Sequence, residues 1–127
     1  MRYLTAEEII AIGRRIVDEN LNVRDFGLVA SAAARPSTEA FGMEPYPTLP
    51  EKAAALLHSL TTSHPFTDGN KRVGFAATDV FLKLNGARLN PAAEDELFTT
   101  VIDTATHALN DVPAITNRIQ PLLQATN

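Results

Sequence analysis

Two segments with the apolar periodicity of buried α-helices flank a polar stretch, residues 63–72, and this arrangement constrains the fold more than any other feature. The first segment carries one apolar stripe at helical spacing, formed by Leu49, Ala53, Leu56, Leu57 and Leu60. The second, from Asn70 to Leu84, is apolar on most sides, which is typical of a buried central helix. One face of it is formed by Val73, Ala77, Val80 and Leu84. The sequence therefore predicts two packed helices joined by a polar loop.

Cap residues predict two helices before this pair. Thr5 and Glu8 have the spacing of a capping box, so we expect a first helix from about Thr5 to Asn20. Its apolar positions are Ile9, Ile12 and Ile16. Asp25 can cap a second helix, which ends at Arg35-Pro36 because proline disfavours the helical conformation in the residue before it.

Further caps complete an all-α chain of six helices. The third helix covers residues 48–62, and Asn85-Gly86 supplies a left-handed stop signal for the fourth. Asn90-Pro91 opens a fifth helix, and Asp111 caps a sixth that Pro121 kinks or shortens. The length of 127 residues fits a single domain, residues 1–127, that is large enough to bury a core.

The segment from Pro36 to Tyr46 breaks the helical pattern. Its turn-forming residues, together with the one that follows it, are Pro36, Gly42, Pro45 and Pro47. We expect an exposed loop or a small hairpin flap before the third helix. Loops of this length in small domains are often functional, so the flap is either a substrate or lid segment or a passive connector.

Composition excludes several classes of protein. The absence of cysteine excludes disulfides and cysteine-bound zinc. A net charge of −4 argues against a dedicated nucleic-acid binder, so we expect no direct contact with nucleic acid. No apolar run reaches the roughly 20 residues of a membrane span, and no signal-peptide core follows Met1. We therefore expect a cytoplasmic protein with no membrane contact.

The polar loop collects the groups that hold a phosphate chain. The first amides of the fourth helix have no partner within the helix and carry the positive end of its dipole. Gly69 lets the backbone approach a ligand closely, and Lys71 and Arg72 place two cations at a helix end that disfavours them. A bound anion would explain that placement, because Arg72 can fork onto phosphate oxygens.

The same loop offers groups for proton transfer and metal binding. His64 can accept a hydroxyl proton near neutral pH, and Asp68 can ligate magnesium (Mg²⁺) beside phosphates. Asn70 is suited either to orienting phosphates or to holding the loop, and Phe66 to anchoring it on the core. Each residue alone has a plainer reading: Asp68 as a helix cap, Gly69-Asn70 as a turn, and His64 as a structural histidine. His58 and His107 are interpreted as structural.

Residues 64–72 fit the pattern H-x-F-x-[D/E]-G-N-x-R, and the chain resembles the Fic/Doc superfamily in this motif and in the flanking helices. The resemblance implies a compact six-helix bundle with a buried central helix and a flap before helix three. It also implies roles for the loop. His64 would be the general base and Asp68 the Mg²⁺ ligand, and ATP phosphates would be held by Gly69, Asn70, Lys71 and Arg72.

Two positions resemble the Doc (death-on-curing) toxin branch. Lys71 stands where AMP-transferring members usually carry glycine, and Phe75 stands where they carry a second arginine. The Doc resemblance implies a toxin that transfers the terminal phosphate of ATP to a threonine of elongation factor Tu, which arrests translation. The alternatives are AMP transfer to a protein hydroxyl and an inactive binding module with the same fold.

The resemblance also implies partners. The flap would dock the protein substrate, as the corresponding segment does in similar enzymes. The chain lacks the internal inhibitory motif [S/T]-x-x-x-E-[G/N] that many Fic proteins carry. Inhibition is therefore expected from a Phd-like antitoxin, which would insert its C-terminal segment as a helix and contact operator DNA itself.

Overall fold

Six α-helices and one two-stranded antiparallel sheet form the fold in a computed structural model that describes residues 1–125. The helices are Ala6–Ile16 (α1), Phe26–Ala34 (α2), Leu49–Thr62 (α3), Asn70–Leu84 (α4), Glu94–Ala105 (α5) and Val112–Ile119 (α6). The strands are Ala87–Leu89 (β1) and Leu123–Ala125 (β2). The predicted six-helix all-α fold is confirmed, and the sheet is a small addition to it. Within residues 1–125, no helix has both the length and the apolar character needed to cross a membrane.

The predicted cap residues begin their helices. The Thr5 hydroxyl accepts from the Glu8 amide at 3.1 Å, and the Glu8 carboxylate accepts from the Thr5 amide at 2.9 Å, completing a capping box. The side chains of Asp25, Thr48 and Asp111 each accept a backbone amide hydrogen bond from the first turn that follows. These contacts satisfy amides that have no partner within their helices, which fixes where α1, α2, α3 and α6 begin.

Helices α3 and α4 lie at the centre. Helix α4 packs against α1, α3, α5 and β1, and α3 separates two apolar clusters. Leu56 and Leu60 of α3 belong to the cluster shared with α1, α2 and α4, whereas Leu57 belongs to the cluster shared with α5 and α6. The expected buried central helix is present, and α3 is buried on as many sides as α4.

The buried face of α4 differs from the predicted one. Leu84 is 46% exposed, whereas Phe81 and Leu82 are fully buried. The N-terminal segment decides this, because Tyr3 stacks on Phe81 with ring centroids 6.2 Å apart. Asn85 then fastens that segment by donating to the Arg2 carbonyl at 2.9 Å. The prediction that Leu84 lies on the core face was wrong for this reason.

Helix α1 ends at Ile16, four residues earlier than the predicted end at Asn20. Its final residue, Ile16, is 54% exposed and is not part of the core stripe. The chain turns after Val17, and the buried Leu21 folds back onto Gly13. A Cβ at Gly13 would lie 2.6 Å from Leu21 Cδ2, so the missing side chain makes room for this turn.

The flap is a minimal hairpin, one of the two forms expected for residues 36–46. Ala40 and Met43 exchange backbone hydrogen bonds of 2.9 and 3.0 Å. Between them Phe41 and Gly42 have φ of 54° and 74°, the positive values of a two-residue hairpin turn. The Phe41 side chain is fully exposed at the tip.

A buried lysine ties the flap to α3. Lys52 is 3% exposed, and its Nζ lies 3.3 Å from Glu44 Oε1 and 3.2 Å from the Pro36 carbonyl. Its ammonium also lies 5.7 Å from the centre of the Tyr3 ring. Both ends of the flap are therefore fixed to the helix that leads into the polar loop.

Candidate active site

The loop between α3 and α4 lines a cleft of about 600 Å³. All six site residues predicted from the sequence line it: His64, Asp68, Gly69, Asn70, Lys71 and Arg72. The facing wall comes from α5 and its C-cap residue and consists of Phe98, Ile102, Ala105 and Thr106. The structure thus brings the predicted residues together at one cleft with a polar side and a largely apolar side.

Gly69 is required by both its conformation and its surroundings. It is the N-cap of α4, with a φ of +78°, and a Cβ there would lie 2.8 Å from Val17 Cγ1. No side chain caps α4 at this position, in contrast to α1, α2, α3 and α6. The start of α4 is therefore open to an anionic ligand in a way that those helices are not.

Lys71 and Arg72 are exposed in the first turn of α4. In the part of the chain that the structure describes, neither side chain forms an ion pair or a hydrogen bond. Two unpartnered cations beside the positive end of a helix dipole repel one another and the dipole. An anion in the cleft would remove that repulsion.

Asp68 is exposed, and its Oδ1 accepts a hydrogen bond from the Gly69 amide at 2.8 Å. Across residues 1–125, no three acidic or histidine side chains are grouped so as to hold a metal by themselves. A single carboxylate suits Mg²⁺, which commonly takes one or two protein carboxylates and completes its shell with phosphates and waters. The donors therefore fit a metal that arrives with a nucleotide.

Asn70 holds the loop. Its Oδ1 accepts from the Phe66 amide at 3.0 Å, and its Nδ2 donates to the Phe66 carbonyl at 2.9 Å. The Phe66 ring is 1% exposed and belongs to the core cluster around α1 and α4. Of the two roles left open by the sequence, these contacts supply the loop-holding one, and Phe66 is the anchor that was predicted.

His64 is exposed at the cleft with a φ of +53°, in the left-handed region. Its carbonyl accepts a hydrogen bond of 2.6 Å from Arg24 Nε, and the Ser63 carbonyl accepts one of 3.0 Å from Arg24 Nη2. Sequence reasoning missed Arg24, which is 40 positions from His64. Its only local signal is its place beside the cap residue Asp25.

Phe75 faces a second aromatic ring. It stands at the position where the resemblance described above implies a second arginine in AMP-transferring proteins. Its ring lies 6.1 Å from that of Phe98, in an edge-on arrangement. Phe75 also packs against the apolar cluster of α3, α5 and α6, and Phe98 lines the cleft. An apolar contact therefore occupies this side of the site.

His58 lies at the base of the flap and does not line the cleft. Arg35 Nη1 lies 2.7 Å from His58 Nδ1, and Arg35 Nε donates to the Tyr46 hydroxyl at 3.1 Å. Burial, and then the positive charge of Arg35, lower the pKa of His58 below its ordinary value. These contacts agree with the structural role assigned to His58, since they join the flap to α3.

Comparisons with known proteins agree with the motif. The sequence model described as "Fic/DOC family" matches residues 3–82, which include the flap and the whole polar loop. A protein named "Toxin Doc" from Mycolicibacterium smegmatis (strain ATCC 700084 / mc(2)155) is 41% identical over 110 residues. The match covers 87% of this chain and 79% of that protein.

Proposed function

The chain belongs to the Fic/DOC family, and we propose that it is a toxin that transfers the terminal phosphate of ATP to a protein hydroxyl. The observation that carries this proposal is the clustering of His64 with the unpartnered Lys71 and Arg72 at the uncapped start of α4. The toxin role is supported by the name and high identity of the mycobacterial relative.

In the proposed reaction, the acceptor oxygen forms a bond to the terminal phosphorus of ATP. The bond from that phosphorus to the bridging oxygen breaks, and ADP leaves with the electron pair. His64 takes the proton of the acceptor hydroxyl, which makes the oxygen a better nucleophile. Lys71, Arg72 and the first amides of α4 would hold the phosphates and stabilise their charge.

Asp68 would hold Mg²⁺ on the phosphates, and Gly69 and Asn70 would keep the cradle in shape. The metal, when bound with the nucleotide, would neutralise charge on the phosphate oxygens. Phosphoryl transfer depends mostly on positioning and charge stabilisation, and this small set of residues offers both.

Two residues favour transfer of the terminal phosphate over AMP. Lys71 lies in the first turn of α4, and the resemblance to AMP-transferring Fic proteins implies that its side chain occupies space the inner phosphates of their nucleotide would need. Phe75 packs on Phe98 and cannot supply the second cation of AMP-transferring relatives. AMP transfer remains the alternative product of the same site.

The proposed target is a threonine of elongation factor Tu in the cytoplasm, whose modification would arrest translation. The flap would dock this target, and its exposed tip at Phe41 and Met43 supports an interaction with protein. Inhibition would come from a Phd-like antitoxin that orders its C-terminal segment on the toxin. These assignments rest on the resemblance to Doc proteins.

The test incubates the protein with Mg²⁺, elongation factor Tu and ATP labelled on either its terminal or its innermost phosphate. We expect label from the terminal phosphate alone to reach the target, and His64→Ala to abolish transfer. Label from the innermost phosphate would instead support AMP transfer. If neither label reaches elongation factor Tu or any protein of a cell extract, while expression still arrests growth, the enzymatic proposal fails and the binding-module reading is favoured.

A further inference from the structure

Arg24 lies outside the motif and donates two side-chain hydrogen bonds to the backbone at His64, the proposed general base. Its guanidinium donates from Nε to the His64 carbonyl at 2.6 Å and from Nη2 to the Ser63 carbonyl at 3.0 Å. Ser63 is the C-cap of α3, so both carbonyls lie at a helix end that lacks backbone donors and favours a cation. A planar guanidinium is the side chain best suited to bridge two successive acceptors.

The backbone around Arg24 holds the same stretch from one side. The Arg24 amide donates to the Pro65 carbonyl at 2.9 Å, and the Thr67 amide donates to the Asn22 carbonyl at 3.2 Å. Val23 and Phe66 form an antiparallel bridge between these contacts. The segment 22–25 is therefore a short edge against which the stretch from Ser63 to Thr67 is laid.

The conformation of His64 needs this support. A φ of +53° places its backbone in the left-handed region, which a residue with a side chain enters at a cost and keeps only when its surroundings impose it. The Arg24 side chain contacts the carbonyls on both sides of the His64 Cα, that of Ser63 before it and that of His64 after it. It thereby fixes the peptide units that set the direction of the imidazole.

The phosphate half of the loop has separate supports. Gly69 packs against Val17, and Asn70 clamps the backbone of Phe66. Arg24 forms no hydrogen bond or ion pair with the residues from Asp68 to Arg72 and does not line the cleft. Loss of the Arg24 side chain therefore removes hydrogen bonds from the half of the loop that bears the base and none from the half that bears the cations.

We infer that Arg24 is a positioning residue for His64, which holds the imidazole where it meets the acceptor hydroxyl without touching nucleotide or target. This inference rests on the proposed function, in which His64 is the general base. Because a misplacement of about 1 Å can cost about 100-fold in rate, Arg24→Ala should lower kcat by roughly 10- to 100-fold. The KM for ATP should stay within about twofold, since uniform binding of the phosphates is untouched.

The experiment compares Arg24→Ala and Arg24→Lys with Arg88→Ala, which removes an exposed arginine on β1 away from the cleft. A lysine ammonium supplies the charge but not the fork, so Arg24→Lys should recover only part of the rate. Arg88→Ala should behave like the parent. If kcat of Arg24→Ala falls only in proportion to the loss of folded protein measured by circular dichroism, the inference is overturned.

A second readout does not depend on activity. This readout is the nuclear magnetic resonance spectrum of the histidine side chains. The chain has three histidines, and the signals of the His64 imidazole are those that are absent in His64→Ala. They should move and broaden in Arg24→Ala and stay unchanged in Arg88→Ala. Unchanged His64 signals in Arg24→Ala would overturn the inference. Full transfer by His64→Ala would refute the proposed base, and the imidazole signals would still decide whether Arg24 holds it.

Discussion

Substitution of Gly69 by alanine probes the tightest point of the site. Two effects add at this position: a φ of +78°, and a new Cβ that would lie 2.8 Å from Val17 Cγ1. The left-handed conformation costs a residue with a side chain about 1–2 kcal/mol, and overpacking costs about 1–3 kcal/mol more. Gly69→Ala should therefore lower the free energy of unfolding by about 2–5 kcal/mol.

Two glycines of similar conformation separate the effects. Gly42 and Gly86 have φ of +74° and +82°, and a Cβ at either would meet nothing within 4 Å. Gly42→Ala and Gly86→Ala should cost only the conformational part, about 1–2 kcal/mol. At about 4 °C for each kcal/mol, Gly69→Ala should melt about 4–12 °C below these two controls in a thermal scan.

The partner in the clash can be tested directly. In a Val17→Ala background, Gly69→Ala should cost no more than the two control substitutions do, because the Val17 methyl groups are gone. Equal losses at all three glycines in the parent would show that Val17 moves aside easily. An undiminished loss at Gly69 in the Val17→Ala background would refute the contact as the cause.

Three further perturbations have defined outcomes. Asn70→Ala should lower the free energy of unfolding by about 1–3 kcal/mol in denaturant titrations, because it unpairs a backbone amide and a carbonyl. Lys71→Gly combined with Phe75→Arg should move label transfer from the terminal towards the innermost phosphate of ATP, if these two residues select the product. Arg2 holds the pKa of Glu8 down at about 2, chiefly through a side-chain hydrogen bond. Because the folded pKa is depressed, this stabilisation is full above about pH 4.5 and is lost as the pH falls towards 2, and Glu8→Gln should flatten the pH dependence of Tm there.

Local signals predicted much of this molecule. The caps at Thr5, Asp25 and Asp111 were predictable because a capping side chain and the amide it accepts lie within three residues of each other. The grouping of His64 with Arg72 at one cleft follows for the same reason, since one loop and one helix start carry them both. The family motif could therefore be located from the sequence before any tertiary contact was known.

Most features that the sequence did not predict depend on contacts between distant parts of the chain. Helical spacing in α4 is compatible with two neighbouring faces, and contacts of Arg2 with Asn85, 83 residues apart, select the one with Phe81. Strands β1 and β2 are three residues each and pair residues that lie 34 or more positions apart, so neither has a pattern of its own. Ile16 has helical spacing, but the turn that buries Leu21 ends the helix there.

The same distinction between local signals and contacts from distant residues applies to the candidate active site. In the proposed mechanism the residues of the motif supply the chemistry, whereas Val17 and Arg24 supply part of the shape from outside it. If the chain is the transferase proposed above, loss of the Arg24 side chain should lower transfer more than it lowers the amount of folded protein, whereas in an inactive binding module of the same fold it would change stability alone.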